Sequence, residues 1–211
     1  MTTATTGCGK KSRGRPKVFD REAALDKAMA LFWQHGYEAT SMAHLVEATG
    51  AKAPTLYAEF TNKEGLFRAV LDRYIAQFAD RHESQLFCPQ KRLEEALYDF
   101  FSAVAACYTS KDTPSGCFII NTSSALAASS EDIACAIKLR HGQQAQTLVR
   151  FFTLRRERGE LPSDCDIHAL SDYLNCILQG MSVSAREGAD YDALMRITKT
   201  TLRILPQLIK N

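Results

Sequence analysis

Apolar residues recur along this chain at intervals of three and four, and no stretch shows the strict alternation of a strand, so the pattern predicts helices throughout. Asp20 caps a first segment in which Leu25, Ala28, Met29 and Phe32 share a face, with His35-Gly36 as its stop and Trp33 as a packing anchor. Met42, Leu45 and Val46 mark a short second helix ending at Gly50, where the chain needs a left-handed residue. Leu56 and Phe60 anchor a third, which Pro54 can start because the first turn of a helix has no use for its missing N–H. Thr61, with Glu64 three residues on, reads as the capping box of a long helix carrying Leu66, Phe67, Val70, Leu71, Tyr74 and Phe78.

Beyond Pro89 the pattern predicts helices over 91–109, 117–127, 131–158, 166–187 and 190–205, with a turn at Thr113-Pro114-Ser115-Gly116. The fold expected is all-α. Arg155, Arg156 and Arg158 ahead of Gly159 read as cations favoured in a last helical turn rather than as a DNA patch. The last two helices carry the most regular stripes. Ile167, Leu170, Leu174, Ile177, Leu178 and Met181, then Leu194, Ile197 and Leu202, are expected to form a four-helix homodimer interface.

The segment 40–63 places two short helices around a glycine turn, the helix-turn-helix arrangement, whose second helix enters the major groove of a duplex. Lys52, Ala53, Thr55 and Tyr57 point away from its apolar side. Upstream, Lys10, Lys11, Arg13, Arg15 and Lys17 surround an Arg-Gly-Arg-Pro core, and residues 1–18 read as a disordered basic arm. Arg13, Arg15 and Lys17 suit the narrow minor groove of A·T-rich DNA. A net charge of +2 alone would not suggest nucleic acid, but its distribution does: residues 1–68 hold 10 Lys+Arg against 7 Asp+Glu, and residues 69–211 hold 16 against 17.

These motifs resemble the tetracycline-repressor (TetR) family of bacterial transcriptional regulators, over AALDKAMALFWQHGYEATSM and LVEATGAKAPTLYAEFTNKEGLF. The resemblance implies a helix-turn-helix domain over 19–65 and a helical effector-binding and dimerisation domain over 66–211, acting as a homodimeric repressor released from its operator by a small molecule. It places Thr40, Ser41, Tyr57 and Lys63 on phosphates, and Lys52, Ala53, Pro54 and Thr55 on base edges. Lysine suits guanine acceptors, and alanine or a threonine methyl suits thymine. Glu59 departs from the family, which often has a phosphate-compatible group there.

The same resemblance implies an effector pocket, for which Phe100, Phe101, Val104, Cys107, Tyr108, Cys117, Phe118, Ile120, Phe151 and Tyr173 are the candidates by spacing; a plain core accounts for most of them. Cys117 follows a turn at a predicted helix start, where the dipole would activate a thiol, and it resembles the position used by thiol-based sensors of the family. A buried, inert cysteine is the alternative. The seven cysteines are odd in number and lack C-x-x-C pairs, and no set of three ligands has metal-binding spacing, so neither a disulfide framework nor a metal is expected. No cofactor motif or triad-like context for the five histidines argues for an enzyme. With no membrane-length apolar run and no leader pattern, the expected location is cytoplasmic.

Overall fold

The computed structural model describes residues 19–123 and 131–210. The basic arm with Arg13, Arg15 and Lys17, and the end of the helix expected over 117–127, lie outside the described residues. Ten α-helices account for the described architecture, with no strand among these residues: α1 (Arg21–Ala39), α2 (Met42–Thr49), α3 (Ala53–Phe60), α4 (Lys63–Tyr74), α5 (Asp80–Leu86), α6 (Leu93–Tyr108), α7 (Phe118–Ser123), α8 (Glu131–Glu157), α9 (Ile167–Arg186) and α10 (Tyr191–Ile209).

Asp20 caps α1 by accepting from Ala23 N–H at 3.0 Å. The helix is interrupted at Gly36 (φ 80°, ψ 171°), so the expected stop is a kink within a longer element. Thr61 does not cap α4. It ends α3 with a positive φ of 67°, and Asn62 takes the cap by accepting from Gly65 N–H at 2.8 Å. Glu64 instead pairs with Arg68 one turn on. The long helix predicted from this point is continuous in course but not in type, because a π-helical turn at Ile75–Ala79 joins α4 to α5.

One apolar core runs from α1 to α10, and an aromatic bridge joins its N-terminal helices to α7. Trp33 of α1 meets Tyr74 at 5.2 Å, Phe78 at 5.6 Å and Phe118 of α7 at 6.0 Å, while Phe67 stacks on Phe118 at 5.7 Å. Such ring pairs add ~0.5–1.5 kcal/mol each beyond the area they bury. On the outer side of the same joint, Arg73 of α4 holds Asp26 of α1 through two N–H groups at 2.6 and 2.9 Å and also binds Glu22.

The structure corrects two expectations about the later helices. Arg155 is not a solvated end-of-helix cation. It is 2% exposed, and its guanidinium donates to the Lys91 carbonyl at 2.6 Å, the Leu86 carbonyl at 3.3 Å and Glu160 at 2.9 Å. The other Glu160 oxygen accepts from Leu93 N–H at 2.8 Å, the start of α6, where no side chain supplies a local cap. The second correction concerns the regular stripes of α9 and α10. Ile167, Leu170, Leu174, Leu178, Met181 and Leu194 are buried within the chain's own core and cannot form an intermolecular face. Ile177, Ile197 and Leu202 are partly buried and pack at its edge. Exposed apolar groups lie on the opposite sides of the two helices, at Val183 (48%) and Ile204 (37%).

Candidate nucleic-acid interface and effector cavity

The two short helices are fixed by local chemistry. Ser41 caps α2, accepting from His44 N–H at 3.2 Å while its own N–H donates to His44 Nδ1 at 3.3 Å. Gly50 turns the chain with φ 68°. Leu56 and Phe60 bury the inner side of α3, which leaves Lys52, Pro54 and Tyr57 exposed and Ala53 and Thr55 half-buried. Tyr57 is 48% exposed although aromatic, an arrangement a packing role does not require.

Two residues expected on phosphates face elsewhere. Thr40 is 1% exposed and its hydroxyl donates to the Gly36 carbonyl at 2.7 Å, which closes the kink of α1. Lys63 turns inward, donating to the Tyr37 carbonyl at 2.9 Å with its ammonium 4.1 Å from the centre of the Tyr37 ring. Glu59, the acidic departure on α3, is paired with Arg21 at 2.7 Å, so its charge is balanced from the start of α1. Sequence reasoning did not find that partner, which lies 38 residues away.

A cavity of about 1030 Å³ opens between α6 and α8. Of the ten pocket candidates, Phe100, Val104, Tyr108 and Cys117 line it. Phe101, Cys107, Phe118, Ile120, Phe151 and Tyr173 do not: Phe118 belongs to the aromatic bridge, Phe151 meets Phe152 edge to face beneath Arg155, and Phe101 is wholly buried. Of the polar groups of α8, Gln144 faces the cavity, as do Lys138, Arg140 and Arg150. Tyr74 and Ile75 line it from the stem that continues the DNA-reading helices.

Cys117 is 3% exposed, with Sγ 3.4 Å from the Tyr74 hydroxyl and its N–H donating to Ser182 Oγ at 2.8 Å. Burial holds the Tyr74 and Tyr108 phenols well above their usual range, so both stay protonated. Burial, assisted by the nearby Cys117, likewise pushes the Cys107 thiol up to about 11. The described residues contain no group of three metal-ligating side chains, and no described helix is long and apolar enough to cross a membrane.

Comparison with known proteins bears on both regions. Residues 24–70 match the family described as bacterial regulatory proteins, tetR family, and residues 93–201 match the tetracyclin repressor-like C-terminal domain. The chain is 66% identical over 210 residues to the HTH-type transcriptional repressor ComR of Escherichia coli (strain K12), covering 100% of both proteins. It is 28% identical to the repressor BdcR of the same organism, over 88% of this chain and 89% of that one. A cysteine mutant of the TetR family regulator CifR, solved with 26-base-pair double-strand operator DNA, superposes with a TM-score of 0.85 at 30% identity, over 90% of this chain and 98% of that chain. With both halves matched in order, the chain belongs to the TetR family of bacterial transcriptional regulators.

Proposed function

We propose that the protein is a homodimeric repressor that reads a duplex operator through α2 and α3 and releases it when a small molecule occupies the cavity. The observation that carries this reading is the outward row on α3, where Lys52, Thr55 and an exposed Tyr57 stand over a buried Leu56–Phe60 anchor. In this reading Lys52, Ala53, Pro54 and Thr55 meet base edges, and Ser41 and Tyr57 hold phosphates. Thr40 and Lys63 act one step back, fixing the kink of α1 and the start of α4. The reading keeps the arm at 1–18 as a minor-groove contact and the functional division near residue 65, and it puts the protein with the chromosome in the cytoplasm.

Fluorescence anisotropy on an operator duplex tests it. Tyr57→Phe should weaken binding to every sequence by about tenfold, the worth of one hydrogen bond to a charged group. Lys52→Ala should lose ~1–3 kcal/mol of discrimination at a single base pair. Unchanged affinity and preference in both variants would remove α3 from the interface.

The dimer face in this reading is the outer side of α9 and α10, with Val183 and Ile204 at its exposed centre and Ile177, Ile197 and Leu202 at its edge. Val183→Asp puts a charge there without touching the core. Sedimentation should then report a monomer; a dimer as tight as the parent would move the interface elsewhere.

A thiol-sensing role for Cys117 has one observation in its favour: the sulfur borders the cavity and contacts Tyr74, a residue of the stem. Modification there would push on the aromatic bridge. Cys117→Ser should then abolish operator release by an electrophile such as N-ethylmaleimide, and release that persists in the variant excludes this route.

A further inference from the structure

The cavity has a chemical polarity that narrows its ligand. Its inner wall is aliphatic and aromatic, with Leu86, Phe100, Val104, Leu148 and Leu178 facing the space. Its charged lining is unbalanced, with Lys138, Arg140 and Arg150 against the single carboxylate of Glu83. A volume of about 1030 Å³ is generous for an elongated organic molecule. Resting on the cavity as the effector site, we propose that the ligand is an amphipathic monoanion, an apolar body bearing one carboxylate, and that the carboxylate takes Arg140 from Asp72.

Arg140 is the group best placed to select such a head. One of its terminal nitrogens donates to Gln143 Oε1 at 2.8 Å and the other to Asp72 Oδ1 at 3.0 Å. The arginine is therefore already holding a carboxylate at the cavity, one supplied by the protein itself. That pair is weakly committed, since the Asp72 side chain is 70% exposed and an exposed ion pair gains little over its hydrated components. A ligand carboxylate approaching from the low-dielectric side would make a charge-assisted bond in a better setting. Lys138, exposed and without an ion pair among the described residues, adds to the same positive field. A cationic ligand would meet like charge, and a neutral one would leave this selectivity unused.

The exchange also reaches the DNA-reading end. Asp72 belongs to α4, its bond to Arg140 is a direct tie between that helix and α8, and the next residue, Arg73, clamps α1 through Asp26 and Glu22. A ligand that captures Arg140 removes one of the ion pairs that hold this point of the stem. The described contacts make Asp72 the side chain through which ligand charge is converted into freedom of α4.

Isothermal titration calorimetry with octanoate, octanol and octylamine separates the possibilities. Octanoate should bind the parent at least about tenfold more tightly than octanol, a margin of ~1.4 kcal/mol, with octylamine weakest. In Arg140→Gln the octanoate advantage should disappear while octanol affinity stays the same. Asp72→Asn should tighten octanoate, because Arg140 is then free. Equal binding of octanoate and octanol, or an octanoate preference that survives Arg140→Gln, overturns the proposal. Val104→Trp, with its solubility and fold checked by circular dichroism, would fill the cavity and distinguish the levels of failure. If octanol binds the parent equally well and Val104→Trp blocks it, the cavity stands as the site and the anion assignment falls. If no probe binds the parent, both fall.

Discussion

Replacing Gly65 with alanine should displace the DNA-reading helix while leaving the helical content of the protein intact. A Cβ built at this position lies 2.1 Å from the Phe60 carbonyl oxygen and 3.2 Å from its carbon, both backbone atoms that no rotamer change can move aside. The corner between α3 and α4 is already at its limit. Asn62 N–H donates to that same Phe60 carbonyl at 2.7 Å, and Thr61 sits at φ 67°. The extra methyl must push the end of α3, and with it Phe60, away from α4. Overpacking of this kind costs ~1–3 kcal/mol, but the larger effect is expected on the operator, since α3 carries the outward residues. Specific affinity should fall at least about tenfold toward the non-specific level. Gly142→Ala is the control: a Cβ there meets nothing within 4 Å, and in mid-helix the change should be neutral or stabilising by ~0.5–1 kcal/mol. Equal operator affinity in Gly65→Ala and the parent would show that the corner does not set the pose of α3.

Arg155→Ala should be the most destabilising single substitution outside the apolar core. It strips a donor from two carbonyls and from Glu160 at once; Glu160 keeps access to water, but each carbonyl left unpaired in the interior costs ~1–3 kcal/mol. At ~2–4 °C per kcal/mol for a chain of this size, thermal unfolding should move down by roughly 10 °C. The same clip sets an acid limit. Burial alone would raise the Glu160 carboxyl, but hydrogen bonds from Arg155 and Leu93 N–H, with the charges of Arg155 and Arg158, outweigh it and hold the group below its usual range. A depressed folded-state pKa means that Glu160 contributes stability above its unfolded value near ~4.3 and loses it as pH falls through the lower folded value. The parent should therefore lose stability between about pH 5 and pH 3 through this group, and Arg155→Ala should show a shallower slope there. Identical acid slopes in the two proteins would mean that Glu160 does not contribute to the acid limit.

The DNA-reading segment was legible because its determinants are local. Gly50, Pro54 and the spacing of Leu45, Leu56 and Phe60 each act within a few residues, and each did in the fold what its chemistry predicts. The corner after α3 was misread for an instructive reason: Thr61 and Asn62 are both capping residues, Glu64 has the capping-box spacing from Thr61, and only the conformation shows that Gly65 N–H goes to Asn62. Periodicity also failed to separate inside from outside on α9 and α10. A stripe records that a face is covered, not by what, and the strongest stripes went to the chain's own core. The cavity was half legible. Its aromatic wall on α6 came from spacing, whereas nothing local singles out Lys138, Arg140 and Arg150, which become cavity lining only through the placement of the other helices around α8. The burial of Arg155 and the pairing of Glu59 were beyond reach for the same reason, since the Lys91 carbonyl and Arg21 lie 64 and 38 residues away.

Trp33 is the only tryptophan of the sequence, and it stands at the meeting point of α1, α4 and α7. Its indole N–H is buried with no hydrogen-bond partner among the described residues, and it is walled by Tyr74, Phe78 and Phe118. With excitation at the red edge, where tyrosine does not absorb, the emission of the protein therefore arises from one indole in a buried aromatic setting, beside the residue that touches Cys117. Any rearrangement that reaches the DNA-reading helices through this joint changes the indole's surroundings, so the chain carries an optical gauge of its own coupling without a label.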